Sequence, residues 1–249
     1  MLRDAETTGG SLHVVHIGSS APRWVREALA MIEGARAQGV DVTTEVYPYG
    51  AGSTNLASVI FDDGWQLRMK IDYGDLQWVA TGERLTRETF EKYRRQGGGR
   101  VIHHSIPEAT VDYAVAAPGV IIASDSGEYE DGNGHPRSAG TFARVLGRHV
   151  REKQALTLME ALAKMTVLPA RRLERASPSM RNKGRIRVGA DADLTVFDPA
   201  RVIDRATYER AALPSEGISH VLVAGTLVVR DGKLVPAVFP GRGIRAAPR

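Results

Sequence analysis

Short apolar runs alternate with segments of helical periodicity over the first half of the chain. Residues 12–17 (LHVVHI) and 40–46 (VDVTTEV) are two segments that read as strands. Between them, residues 23–38 place apolar side chains three or four positions apart and end at Gly39, which predicts a helix. This order predicts a βαβ unit.

Residues 55–82 mix tryptophan and tyrosine with aspartate and glycine and show no sustained period. Thr86 is a suitable N-cap for the next predicted helix. The later predicted elements are helices over 86–96, 107–116, 141–152 and 156–175 and strands over 100–103 and 119–123. Strands that alternate with helices predict an α/β fold with a parallel sheet covered by helices.

The pattern changes near residue 184 to short β runs separated by glycine and aspartate, including the closing PGRGIR. Turns at Gly225 and at Asp231-Gly232 predict hairpins. We therefore expect two domains, an α/β unit over 1–175 and a small β module with a basic tail over 176–249.

Charge and cysteine content narrow the class of protein. The net charge of +4 comes from 33 basic and 29 acidic residues, and part of the excess is a tail with Arg242, Arg245 and Arg249. Because no basic stripe is interleaved with aromatic residues, we expect no nucleic-acid partner. The absence of cysteine, of a signal peptide and of a long apolar span predicts a cytoplasmic protein without membrane association.

Polar residues follow several of the predicted strands. Asp125 comes just after the apolar run at 119–123, His16 ends the first strand, and Tyr47 closes the second. His103 and His104 end another strand, and only one of this adjacent pair can face the same side. Each residue alone is explained by packing, but together they predict a site at the carboxyl ends of parallel strands, with Asp125 as the catalytic carboxylate.

Arg137 lies on the glycine-rich loop that follows Asp125. The planar guanidinium binds carboxylates through two parallel hydrogen bonds. A surface salt bridge is the simpler alternative, but an arginine beside a catalytic carboxylate favours an acidic substrate.

Six motifs resemble the N-acyl-D-amino-acid deacylases (D-aminoacylases) of the amidohydrolase superfamily. In chain order they are LHVVHIGSS at 12–20, EVYPYGAGST at 45–54, IIASDSG at 121–127, HPRSAGTFARVLGRHVRE at 135–152, ALAKMTVLPARRL at 161–173 and GRIRVGADADLTVFDP at 184–199. Because they run in order across nearly the whole chain, we expect the chain to be a member of this superfamily.

The resemblance implies a metal-dependent hydrolase (β/α)8 (TIM-like) barrel, of which this chain forms about strands 5 to 8, followed by a small β-sandwich portion. It implies that His16 and Asp125 bind metal, that Asp125 also shuttles a proton, and that Arg137 binds the substrate α-carboxylate. Tyr47 and His104 are expected to be further substrate contacts. The expected cofactor is Zn²⁺, with one or two ions in the complete enzyme.

Two departures from the family pattern bear on the metal site. The first-strand His-x-His motif has no counterpart, so we expect an incomplete barrel that is inactive alone. Where a sixth-strand histidine is usual, this sequence has EVYPY. We expect Glu45 or Tyr49 to be the substitute ligand. Either Tyr47 or Tyr49 lies at the position of that histidine.

The predicted function is a hydrolase acting on carbon–nitrogen bonds other than peptide bonds. It hydrolyses the amide of N-acyl amino acids with a zinc-activated water. Two alternatives are a non-catalytic half or partner subunit of a split amidohydrolase, and a cyclic-amide hydrolase of the same superfamily. The expected partners are the small-molecule amide and, through an open sheet edge, a missing N-terminal half or a second copy.

Overall fold

The computed structural model describes residues 1–246, so Arg249 of the expected basic tail lies outside the described residues. The strands are β1 (Leu12–Val14), β2 (Val42–Val46), β3 (Gly52–Asn55), β4 (Leu76–Trp78), β5 (Arg100–His103), β6 (Val120–Ile122), β7 (Leu194–Phe197), β8 (Ile218–Val223), β9 (Thr226–Arg230) and β10 (Lys233–Leu234). The α-helices are α1 (Leu2–Thr8), α2 (Ile17–Ser20), α3 (Val25–Ala37), α4 (Trp65–Met69), α5 (Arg87–Arg95), α6 (Glu108–Ala116), α7 (Arg137–Arg144), α8 (Leu158–Met165) and α9 (Val167–Leu173).

The site is positioned by a three-stranded parallel sheet in the order β1-β2-β6. Helices α3 and α6 pack on one face of this sheet. Val42, Val46, Val120 and Ile122 are buried in this core. The predicted βαβ unit is therefore confirmed, and all three strands end at the same edge.

Residues 100–103 form a strand, but the expectation that they lie in the parallel sheet is wrong. β5 is the centre of a separate antiparallel sheet, in the order β3-β5-β4. Both edges of β5 are taken up by hydrogen bonds to these neighbours, so β2 pairs directly with β6. The described residues thus contain three of the expected four parallel strands and no closed barrel.

The antiparallel sheet belongs to a module over residues 52–103 with a core of its own. Phe61, Trp65 and Phe90 are buried there, and the Trp65 and Phe90 rings stack with centroids 5.4 Å apart. Its strands and helices are only three to nine residues long. Such short elements explain why residues 55–82 show no sustained period.

The helix predictions are largely confirmed, with corrected boundaries. Thr86 caps α5 by accepting a hydrogen bond from Thr89 N. The helix predicted over 141–152 begins earlier, at Arg137, and continues as a π-helix over Val145–Glu152. The helix predicted over 156–175 is divided into α8 and α9 at Thr166, whose φ and ψ of −129° and −78° are not helical.

The C-terminal region contains an antiparallel sheet in the order β10-β9-β8-β7. Its hairpins turn at Gly225 and at Asp231-Gly232, as predicted, but PGRGIR at 240–245 forms no strand. The segment between β7 and β8 also packs against the parallel sheet and its helices. Its Val202 is buried in the core of the parallel sheet and its helices. None of the described helices is long and apolar enough to cross a membrane.

Candidate active site

A cavity of about 730 Å³ opens at the carboxyl ends of the parallel strands. Its walls come from both the parallel sheet and the antiparallel module. The polar residues that line it include His16, Ser19, Tyr47, Ser53, His103, Ser105, Asp125 and Arg137. The structure therefore brings four predicted site residues together, namely His16, Tyr47, Asp125 and Arg137.

His16 lies after β1 with a φ of +36° and is the residue that precedes helix α2, at its N-cap position. Its Nδ1 is 3.0 Å from the hydroxyls of both Ser19 and Ser20. Those hydroxyls donate to the carbonyl oxygens of His16 and Val15, so they accept the Nδ1 proton. This tautomer leaves the Nε2 lone pair available to a metal ion.

Asp125 lies beyond the end of β6 with a φ of +48°. Its Oδ2 is 2.9 Å from Nη1 of Arg137, and its side chain is about one third exposed. The carboxylate therefore faces the cavity while one oxygen is held by a cation. An aspartate tolerates the left-handed backbone better than a branched residue does.

Arg137 is almost fully buried at the first position of α7. Its guanidinium carbon lies 4.5 Å from the centre of the Tyr47 ring. Its backbone N–H donates to Nδ1 of His135, and His135 Nε2 is 2.9 Å from the Ala51 carbonyl oxygen. Because burial strongly lowers its pKa, His135 is neutral and fixes the start of the helix.

Three groups at this cavity are buried and lack a hydrogen-bond partner: Tyr47 Oη, Ser53 Oγ and Arg137 Nε. Burial raises the pKa of Tyr47, which remains a neutral phenol with Ser19 and Arg137 as neighbours. All three can donate a hydrogen bond. Buried donors without partners are costly, so this arrangement indicates an acceptor ligand.

Of the two histidines at the end of β5, the structure places His103, and not the predicted His104, at this cavity. His103 lines the cavity, and its Nδ1 is 2.8 Å from Ser105 Oγ. Burial lowers its pKa to about 4, so it is neutral near pH 7. His104 instead lines a separate cleft, where it lies 3.2 Å from Gln77 Oε1 and packs on Tyr208. Strand alternation separates the two side chains.

Neither expected substitute ligand lines this cavity. Glu45 lies on the same face of the parallel sheet as His13 of β1, with its Oε2 3.0 Å from His13 Nε2. Tyr49 is buried, and its hydroxyl is 3.3 Å from Asp204. Pro48 separates the two tyrosines, so that Tyr47 faces the cavity and Tyr49 packs behind it.

The donor chemistry of His16 and Asp125 suits zinc, but two ligands are fewer than the three that a catalytic zinc site uses. Residues 1–246 contain no group of three or more His, Cys, Asp or Glu residues placed to hold a metal. The described residues therefore fit a contribution to a zinc site and do not fit a complete one.

Ser53 and Ser19 line the site and were not predicted from the sequence, and His103 was considered only as the alternative to His104. Ser53 and Ser19 are small hydroxyl residues within the matched motifs EVYPYGAGST and LHVVHIGSS. Motif position was the available signal, because neither residue type is unusual in a loop.

Fold and site together define an α/β protein with polar side chains at the carboxyl ends of parallel strands, the placement that barrel enzymes use. Residues 25–229 match the sequence model of the Amidohydrolase family. The chain belongs to this family. The superfamily prediction is therefore confirmed.

Curated relatives include two proteins of Alcaligenes xylosoxydans xylosoxydans. An N-acyl-D-glutamate deacylase is 38% identical over 89% of this chain and 45% of its own length. A D-aminoacylase is 35% identical over 83% of this chain and 42% of its own length. This chain thus spans about half the length of the curated relatives it matches.

Solved structures give the same result. The N-acyl-D-glutamate deacylase of Bordetella bronchiseptica, complexed with zinc and a phosphonate inhibitor, has a TM-score of 0.76 and 32% identity and covers 98% of this chain and 52% of its own. A D-aminoacylase has a TM-score of 0.78 and 29% identity, with 98% and 52% coverage. The amidohydrolase-superfamily fold is therefore confirmed.

Proposed function

We propose that this chain contributes the substrate-carboxylate site of a zinc-dependent amidohydrolase that removes the acyl group from N-acyl-D-amino acids. One observation carries the proposal, namely that Tyr47 Oη, Ser53 Oγ and Arg137 Nε are buried at one cavity without partners. A carboxylate has two oxygens with about four acceptor positions and can receive all three donors. The α-carboxylate is the group that every N-acyl amino acid provides.

Arg137 also orders this site. Its stacking on Tyr47 fixes both side chains, and its ion pair holds Asp125 at the same mouth. The scissile amide of an N-acyl amino acid begins one bond from the carbon that carries the carboxylate. Binding of that carboxylate therefore sets the amide near Asp125, which is the positioning that catalysis requires.

Asp125 is proposed to take a proton from the hydrolytic water and to deliver it to the leaving amine. Zinc, when bound, polarises the amide carbonyl and lowers the pKa of the water. His16 and Asp125 would be this chain's ligands, with further ligands from outside residues 1–246. The relatives support the metal, since the Bordetella structure contains zinc and a D-aminoacylase has a binuclear metal centre.

The comparisons favour deacylation over the alternatives. A dihydroorotase from Syntrophus aciditrophicus is 27% identical to this chain, against 38% for the N-acyl-D-glutamate deacylase.

We also infer that the open edges of the parallel sheet, on β1 and β6, pair with strands of another segment or a second copy. Within the described residues these edges have no neighbouring strand. Unpaired edges favour association, which supports this assembly. A cytoplasmic location and the division at residue 175 remain predictions.

The test uses the enzyme in which this chain is joined or paired with the remaining ligands. Arg137→Ala is expected to raise KM for N-acetyl-D-amino acids at least tenfold, because a charge-assisted bond to the carboxylate is lost. Asp125→Asn is expected to lower kcat by a factor of about 100 or more and to change KM little. An unchanged KM in Arg137→Ala would refute the carboxylate site.

The isolated 249-residue chain provides a second measurement. We expect it to bind N-acetyl-D-amino acids weakly and to show no deacylation above background, because its metal ligands are too few. Zinc content measured alongside activity would show this directly. Deacylation by the isolated chain at the rate of the complete enzyme would contradict the incomplete site.

A further inference from the structure

A second cavity of about 500 Å³ adjoins the carboxylate site. The two cavities share Ser53, Thr54, Asp125 and Arg137 as lining residues. A ligand whose carboxylate is held by Arg137 therefore lies at the boundary between them. One substituent of its α-carbon can enter the first cavity while another enters the second.

Arg100 is the second arginine, besides Arg137, that lines this cavity. It is the first residue of β5 and lies opposite Asn55 of β3 in the antiparallel register. Its guanidinium makes no hydrogen bond with any residue over 1–246, and its Nε lies 3.8 Å from the nearest carboxylate oxygen, on Glu130. Five N–H donors are therefore available to a ligand.

Gly127 leaves room for the side chain of Arg100, because it has no side chain of its own. A Cβ on Gly127 would collide with Arg100 Nη1. Gly127 lies two residues after Asp125, and its N–H donates to Ser138 Oγ at 3.1 Å. The guanidinium of Arg100 therefore lies against the loop that carries Asp125.

We propose that Arg100 binds an anionic group on the substrate side chain and that this site selects N-acyl-D-amino acids with acidic side chains. This inference rests on the proposed function, in which Tyr47, Ser53 and Arg137 bind the α-carboxylate of the substrate. A planar guanidinium binds a carboxylate through two charge-assisted hydrogen bonds. An uncharged side chain would displace water from Arg100 without replacing its hydrogen bonds.

Two carboxylates line this cavity: Asp125, which is paired with Arg137, and Glu130, which is the anion that competes for Arg100. Its side chain is nearly half exposed, and its contact with Arg100 is longer than a hydrogen bond. The contact is therefore weak, and Glu130 can turn into solvent when a ligand carboxylate arrives. Removal of its charge is expected to strengthen binding of an acidic ligand.

The test compares N-acetyl-D-glutamate with N-acetyl-D-glutamine, which have nearly the same shape and differ in side-chain charge. Binding to the 249-residue chain can be followed by NMR titration. We expect the glutamate compound to bind about tenfold or more tightly, the range of a charge-assisted hydrogen bond. Arg100→Met is expected to abolish this preference and to leave binding of the glutamine compound within about twofold.

Arg95→Met is the matched control. Arg95 is an exposed arginine of α5 with a carboxylate at the same distance of 3.8 Å, and it lines neither cavity. The Arg95→Met variant should keep the tenfold preference for the glutamate compound. This result would show that the preference comes from contact with Arg100 and not from the net charge of the protein. Glu130→Gln should increase the preference, and this second variant keeps the inference testable if Arg100→Met is unstable.

Equal affinity for the two compounds, or a preference that persists in Arg100→Met, would overturn the role of Arg100 and leave the carboxylate site intact. Binding of neither compound would overturn the carboxylate site of the proposed function and this inference with it. The two failures are therefore distinguishable.

Discussion

Tyr47 and Tyr49 show how two similar side chains separated by one proline acquire different roles. Tyr47 has a buried hydroxyl without a partner, whereas the hydroxyl of Tyr49 is 3.3 Å from Asp204. Asp204 is in turn bound by Arg144 at 2.9 Å. Tyr49 therefore belongs to a structural network behind the cavity, whereas Tyr47 lines the cavity and is part of the proposed carboxylate site.

This difference predicts opposite effects of removing each hydroxyl. Tyr47→Phe is expected to keep the free energy of unfolding or raise it by about 1 kcal/mol, because a buried unpaired hydroxyl is removed. The same change should weaken binding of N-acetyl-D-amino acids about tenfold. Denaturant unfolding and NMR titration measure the two effects.

Tyr49→Phe is the paired variant. Its loss of the Asp204 contact should lower the free energy of unfolding by about 1 kcal/mol or more and change ligand affinity little. If Tyr47→Phe were the destabilised variant and bound ligand normally, the assignment of these tyrosines would be reversed.

At the scale of elements, the helical segment over residues 137–152 is fixed by close backbone contact. Gly147 lies in its π-helical part, where a Cβ would collide with Ile203 and lie 2.8 Å from the Val202 carbonyl oxygen. Only glycine lets the segment after β7 pack this closely. This contact joins the C-terminal region to the core of the parallel sheet.

Gly147→Ala is therefore expected to lower the free energy of unfolding by about 2 kcal/mol, although alanine favours helix. Gly34→Ala in α3 is the matched control, because nothing lies within 4 Å of a Cβ there. It should raise the free energy of unfolding by up to about 1 kcal/mol. Equal effects in thermal or denaturant unfolding would contradict the packing explanation.

Lys164 connects α8 with the end of α6. Its buried ammonium donates to the Val115 carbonyl oxygen at 2.9 Å and to that of Ala117. Burial lowers its pKa to about 8 from an ordinary value of 10.5. Since the folded state loses this proton before the unfolded state does, the contribution of Lys164 to stability rises as pH increases from about 8 to 10.5.

The measurement is urea unfolding of the parent and of Lys164→Met between pH 7.5 and 10. As pH increases across this range, the free energy of unfolding of the parent should rise relative to that of the variant. A constant difference between the two proteins would show that Lys164 does not titrate on unfolding.

At the scale of the whole molecule, buried histidines set the response to acid. Burial lowers the pKa of His103, His104 and His149 to about 4, and that of His135 well below its ordinary 6.5. The unfolded chain therefore binds protons that the folded chain does not. Stability is fully present above pH 6.5 and is lost as pH falls from there through 4.

His149→Leu tests this expectation at one position. It should reduce the pH dependence of the unfolding free energy between pH 6 and 4.5 by up to about 1.4 kcal/mol per pH unit, the value for one proton. Burial is the largest cause of the lowered pKa of His149. Among its neighbours, Asp112 raises this pKa and Lys153 lowers it, so their effects oppose each other. An identical slope in parent and variant would refute the contribution of His149.

Local signals determined much of the fold in advance. Apolar spacing located α3, α5 and α6, and glycine turns located the β8–β9 hairpin, because these depend on residues close in sequence. They could not show that β5 pairs with β3 and β4, since strand pairing depends on distant contacts. The expected fourth parallel strand was wrong for this reason.

The sequence by itself predicted the polar site residues His16, Asp125 and Arg137, and it determined which superfamily the motifs belong to. Only the tertiary structure decided that His103 and not His104 faces the cavity, that Glu45 turns toward His13, and that Arg100 lies beside the carboxylate site. The reason is physical: residue type and motif are local properties, whereas the direction of a side chain and its burial are set by elements that pack from distant parts of the chain.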